Sequence, residues 1–250
     1  MKTTKFALIF LYSLLLLFIQ GACIEINEVV QMKEDGATLL NLSVFVPDID
    51  DKKNSKSDVK GKKPEDIAKG LAQANVAGIK FLGEQEKKVN GLNQVSLNFE
   101  LSSIRDNIKL YQALDTLDKA STTDKKEDDK PQAAFDKIFS NSPYLVRKDG
   151  SGNIVITREF KPTPELLKKP VKKAPKDGQM DFSDDMGDIF LNMIYINFEF
   201  FSPTDVISSN AQEQFGRNLR WKTSLGYLMK NPLKIEMKIK GSPELEKILK

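Results

Sequence analysis

Carboxylates are the side chains this sequence could gather for chemistry. Asp181, Asp184, Asp185 and Asp188 fall in the run DFSDDMGD, and Asp48, Asp50 and Asp51 crowd a second one. Paired acids could share a proton, and acids at alternate positions ending near a glycine could hold calcium. Neither run has that pattern. Asp51 is followed by Lys52 and Lys53, and the spacing of DFSDDMGD fits no metal loop; a polar turn ahead of an apolar strand explains it. The chain has no histidine, which removes Ser-His-Asp and Cys-His machinery and the usual His-bearing zinc sites. The expectation is a protein that is not an enzyme, with no catalytic residue, no metal ligand and no cofactor.

The remaining reactive side chain is Cys23, the one cysteine present. It closes the stretch Phe6–Cys23, FALIFLYSLLLLFIQGAC, which follows Lys2 and Lys5 with no acid before it. A basic start, a short apolar core and small residues before a cut are the parts of an export signal. The apolar core Phe6–Ile19 has 14 residues, against about 20 for a helix that crosses a bilayer. Gln20-Gly21-Ala22-Cys23 resembles the lipobox of bacterial lipoproteins. Gly21 and Ala22 fit that motif, whereas Gln20 stands where an aliphatic residue is usual. The resemblance implies cleavage before Cys23, acyl chains on Cys23, and a protein held to a membrane of the bacterial cell envelope through them. Two alternatives stay open: ordinary signal cleavage that leaves a free thiol, and an uncleaved anchor. A lone cysteine cannot form an internal disulfide, so a thioether gives it a role. Each buried CH₂ contributes about 0.8 kcal/mol, and two chains suffice for stable anchoring.

Removal of residues 1–22 would leave 228 residues, enough for one large domain or two small ones. It would also leave 36 basic against 35 acidic side chains, a net charge of +1. Such a balance argues against nucleic acid as a partner. No second long apolar run exists; Ile189–Phe201 comes nearest but carries Asn192, Asn197 and Glu199.

Strand and helix patterns alternate along the rest. Ile24–Met32 reads as a strand with Ile24, Ile26 and then Val29 as its apolar positions. Asp35-Gly36 is a turn signal, and Thr38–Val46 alternates, with Leu40, Leu42, Val44 and Val46 on one face. Residues 48–63 lose all periodicity. Pro64 opens a helix that reaches Asn75. Strand character returns over Val76–Val89, and Asn90-Gly91 predicts a hairpin to the alternating run Val95–Leu101. Ser102 or Ser103 caps a helix striped by Ile104, Ile108, Tyr111 and Leu114, which a charged break at 118–131 ends; a short helix, Gln132–Phe139, follows. Tyr144–Arg147 and Asn153–Phe160 flank Asp149-Gly150-Ser151-Gly152 as a second hairpin. The Pro- and Lys-rich stretch around KPTPELLKKPVKKAPK makes 161–186 an extended, solvated segment. Asp188–Phe201 is the most apolar part beyond the signal, with Ile194, Ile196, Phe198 and Phe200 on one face of a central strand. Trp221 sits in a short strand, and Leu233–Lys240 alternates apolar and charged positions. The expected fold is α+β: antiparallel, hairpin-rich sheets packed against a few helices, with long charged loops, as a single domain over 23–240 and a tail at 241–250 that could form a short helix.

Three blocks together resemble the LppM family of bacterial lipoproteins. They are the cysteine, strand, Asp35-Gly36 and strand; the strand–NG–strand–helix unit of Gly78–Leu114; and Pro203–Lys240, where SPTDVISSNA, RNLRWKTSL and an amphipathic strand follow in order. The blocks cover about half of the chain beyond the signal, and the segments around 118–130 and 162–176 look like insertions. Many members carry a C-terminal membrane helix that has no counterpart in this sequence. The resemblance implies an α+β domain exposed at the envelope, with a groove for a lipid-like ligand, and transfers no catalytic residue. A curved sheet with helices on one side could leave such a groove, with Phe198, Phe200, Trp221 and Tyr227 as candidate lining; ordinary core packing is the other reading of each. The alternative function is a surface or envelope-assembly protein that acts through contacts with other proteins.

Overall fold

Strand β1 (Ile24–Met32) starts one residue after Cys23 and turns back through Asp35-Gly36 into β2 (Thr38–Pro47). Gly36 takes a φ of 87°, the positive value that a glycine adopts without strain. The computed structural model of the chain describes residues 24–47, 70–71, 76–89, 92–121, 138–162 and 191–246. The signal segment with Cys23, the break at 48–63, the Asn90-Gly91 dipeptide and all four aspartates of DFSDDMGD lie outside the described residues. So do most of the helix expected over 64–75, the break at 161–186 beyond Pro162, and nearly all of Gln132–Phe139. Of those two helices, Gly70 and Leu71, and Ile138 and Phe139, are described; all four are helical and buried.

The order continues with β3 (Ile79–Val89), β4 (Leu92–Leu101), a 3-10 turn (Ile104–Asp106), α1 (Asn107–Ser121), β5 (Tyr144–Lys148), β6 (Ile154–Phe160), β7 (Ile194–Phe201), β8 (Val206–Ser209), β9 (Glu213–Phe215), β10 (Asn218–Ser224), α2 (Leu225–Lys230) and β11 (Leu233–Ile239). The architecture is α+β. A seven-stranded first sheet has the order β3-β4-β2-β1-β7-β10-β9, and a four-stranded second sheet has β5-β6-β11-β8. The Asp35-Gly36 and Asp149–Gly152 turns join antiparallel neighbours, and the strands that flank Asn90-Gly91 pair the same way, with Val89 opposite Leu92. One pairing departs from the antiparallel expectation: β1 and β7 run parallel, Ile24 opposite Ile194 through Gln31 opposite Phe201. That contact places both strands at the centre of the first sheet.

Inward positions of the two sheets meet with α1 and Phe139 between them. The rings of Phe139, Phe160 and Phe198 lie 4.8 to 5.8 Å apart, and Tyr111 of α1 stands 5.3 Å from Phe139. Each such side chain, fully buried, contributes about 1.5–3 kcal/mol. Ser103 is the cap ahead of α1, its hydroxyl accepting from the Arg105 N–H. The helix then runs past Asp118 to Ser121, into the expected charged break, because Asp118-Lys119-Ala120 contains no helix breaker. Of the expected tail at 241–250, residues 241–246 are described. Ser242–Glu246 forms a single turn whose Leu245 is wholly buried, so apolar contact draws these residues into the domain.

Asp149 organises the β5–β6 turn. Its carboxylate accepts from the N–H groups of Ser151 and Asn153 and from the Lys238 ammonium of the adjacent β11. The Lys238 bond chiefly holds its pKa down to about 2. Among the described residues no helix is long and apolar enough to cross a membrane.

Candidate functional site

Strand alternation puts Ile24, Ile26, Glu28, Val30 and Met32 of β1 on one inward face, so the third inward position belongs to Glu28 and not to the neighbouring Val29. The same alternation in β6 gives Ile154, Ile156, Arg158 and Phe160. Glu28 is 1% exposed and Arg158 is 0% exposed. The Arg158 Nη1 donates to both Glu28 oxygens at 2.6 and 2.7 Å, and its Nε donates to the Ser142 carbonyl at 2.8 Å. Tyr111 of α1 and Tyr144 of β5 donate their hydroxyls to the same carboxylate at 2.6 and 3.1 Å. The guanidinium carbon lies 4.5 to 5.8 Å from the ring centres of Tyr111, Phe139, Tyr144, Phe160 and Phe198. Aromatic faces thus surround the Nη2, which has no hydrogen-bond acceptor among the described residues.

Electrostatics in this cluster favour one protonation state. Burial, and then the Glu28 charge, push both tyrosines well above the ordinary tyrosine value. Burial pulls on Arg158 in the opposite sense, but Glu28 and the two tyrosines outweigh it and the guanidinium stays charged. Among the described residues the donors to Glu28 are Arg158, Tyr111 and Tyr144, and Glu28 and Arg158 are closed to solvent. The cluster therefore has no open face for a substrate, and it ties the first sheet, the second sheet and α1 at one point.

Glu28 also marks a change along the inner face of the first sheet. On the Met32 side, Val30, Leu40, Phe99 and Leu101 are all but fully buried. On the Cys23 side, Ile24, Ile26, Leu42, Val95 and Leu97 are half-buried, and Val44 is 38% exposed. The register keeps them together, with Val44 opposite Ile26 and Val95, and Leu42 opposite Leu97. This is an apolar strip, partly open, in the half of the sheet that begins next to Cys23.

The opposite face of the same sheet is polar. A groove of about 300 Å³ there is lined by Glu25, Asn197, Glu199, Glu213, Arg220 and Lys222 among others. Its charges are largely engaged with one another. Arg220 reaches Glu199 and Glu213, Asn197 donates to Glu25, and the Lys222 ammonium stands 4.8 Å from the Tyr195 ring centre.

The candidate ligand residues fall in two places. Phe198, Phe200 and Trp221 are 1 to 3% exposed within the core, with the Trp221 N–H donating to Asn210. Tyr227 stands apart from them on α2 and is 49% exposed. Cys23 lies outside the described residues, and among those residues no group of three or more histidine, cysteine or acidic side chains could hold a metal.

No family model matches the chain, and no curated protein matches it. The chain is similar to the folded domain of the Mycobacterium tuberculosis LppM protein. The alignment with that NMR structure covers 90% of this chain and 94% of the other, at 11% identity and a TM-score of 0.42.

Proposed function

We propose that this protein is a membrane-anchored bacterial lipoprotein whose non-catalytic α+β domain binds a lipid-like ligand at the cell envelope. Cys23 carries the acyl chains, and the domain begins with the next residue. One observation supports the binding role above the others. The apolar strip of Ile24, Ile26, Leu42, Val44, Val95 and Leu97 is partly open and lies in the half of the sheet nearest the anchor. An acyl chain laid on it would replace water against six aliphatic side chains, at roughly 25 cal/mol for each Å² covered. Phe198, Phe200 and Trp221 hold the sheet from within the core.

The test is native mass spectrometry on residues 23–250 with Cys23→Ser, made in a bacterial host and purified without detergent. The proposal expects an adduct of lipid mass, lost on organic extraction and reduced by Val44→Glu. A bare polypeptide mass in both proteins would contradict it. A protein adduct instead would favour the envelope-assembly reading. That reading has its own support in Ile207 and Phe215, which are 50% and 67% exposed on the edge strands β8 and β9.

A further inference from the structure

We propose that the end of the first sheet that begins at Ile24 lies against the bilayer surface, with Tyr195 and Tyr227 at headgroup level and Lys222 and Lys230 beside them. The inference rests on the anchoring of Cys23 proposed above. Adjacent Cα atoms are about 3.8 Å apart, so acyl chains on Cys23 leave β1 no linker with which to stand away from the membrane. What shares that end of the sheet is fixed by register. Tyr195 is opposite Glu25 on one side and Ser224 on the other, and α2 starts at the residue after Ser224. With neighbouring strands about 4.8 Å apart, Ser224 stands about 10 Å across the sheet from Glu25.

The side chains gathered there have the chemistry of a membrane interface. Tyr195 is 37% exposed and Tyr227 is 49% exposed. Lys222 and Lys230 are exposed, the first with its ammonium over the Tyr195 ring. Tyrosine places an apolar ring and a polar tip at the headgroup boundary, and lysine carries charge toward anionic lipid. Glu25 is opposite Tyr195 in the register, and its carboxylate accepts from Asn197. The exposed aromatics Phe201 and Phe215 flank Asn218 at the other end of β7 and β10. Six residues of strand put them about 20 Å away, on the water side of the domain.

The experiment uses the full chain, processed in a bacterial host and reconstituted in vesicles of equal parts phosphatidylcholine and phosphatidylglycerol. With Cys23 acylated, Tyr227→Cys or Phe215→Cys supplies one site for a nitroxide, and both positions are exposed enough to leave the fold intact. Intact mass reports the acyl groups, and collision with a water-soluble nickel chelate reports depth. The proposal expects loss of nickel access at residue 227 and full access at residue 215. Full access at residue 227 on an acylated chain would overturn this membrane face and leave the anchor standing. Protection at residue 215 in place of 227 would overturn it too. A chain with no acyl mass would overturn the anchor and this face together.

Discussion

Glu28 and Arg158 lose their contact with water and replace it with each other, two tyrosine hydroxyls and a backbone carbonyl. Leaving one of a buried pair alone costs about 3–5 kcal/mol, whereas removing both is often close to neutral. Glu28→Met and Arg158→Met should each lower urea stability by that amount, and the double variant should lie well above either single one. Equal losses in all three would deny the coupling. The tyrosines and Asp149 set opposite pH limits. Tyr111 and Tyr144 have raised folded values, so their contribution is whole below the ordinary value of about 10 and is lost as pH rises above it. Asp149 has a lowered folded value. Its contribution is whole above the ordinary aspartate range and is lost as pH falls toward about 2, so Asp149→Asn should flatten the acid limb of a stability profile between those limits. The pair itself was legible in principle. Glu28 interrupts Ile24, Ile26, Val30 and Met32, and Arg158 interrupts Ile154, Ile156 and Phe160. Following Val29 in place of Glu28 shifts the inward face by one residue and hides the interruption.

Hairpins announce themselves locally, and the Asp35-Gly36 and Asp149–Gly152 turns join strands where their turn chemistry places them. The parallel contact of β1 with β7 has no such signal. Its partners are some 170 residues apart, and an alternating pattern states which face is buried without naming the neighbour. Short edge strands such as β9, exposed at all three residues, have no apolar periodicity to read. Two small residues carry more of the packing than their size suggests. Gly241 passes so close to the Gly152 carbonyl that a methyl group would overlap it. Gly241→Ala should therefore cost about 1–3 kcal/mol, read as a lower melting temperature; an unchanged one would mean that the β5–β6 turn can move aside. Ser224 caps α2 by accepting from the Tyr227 N–H. Ser224→Ala should cost about 1 kcal/mol in the same assay, and no change would show that the cap contributes little.

At the scale of the molecule, the apolar strip and the aromatic–lysine edge fall at the end of the first sheet where β1 begins, next to the proposed anchor, and the closed ionic cluster sits deeper. This arrangement is the support for the proposed binding role at a membrane. Cys23 and the stretch before it lie outside the described residues, so their reading rests on consecutive residues of the sequence alone. A strip assembled from β1, β2 and β4 becomes visible only when those strands are set in register. The claim that everything else leans on is acylation of Cys23, and the most direct measurement is the mass of the N-terminal peptide released from the protein extracted from bacterial membranes. Acylation requires a peptide that begins at Cys23 and carries diacylglycerol, with Cys23→Ser moving the whole chain to the soluble fraction. An unmodified Cys23, or a chain that keeps residues 1–22 and stays membrane-bound as Cys23→Ser, would contradict it.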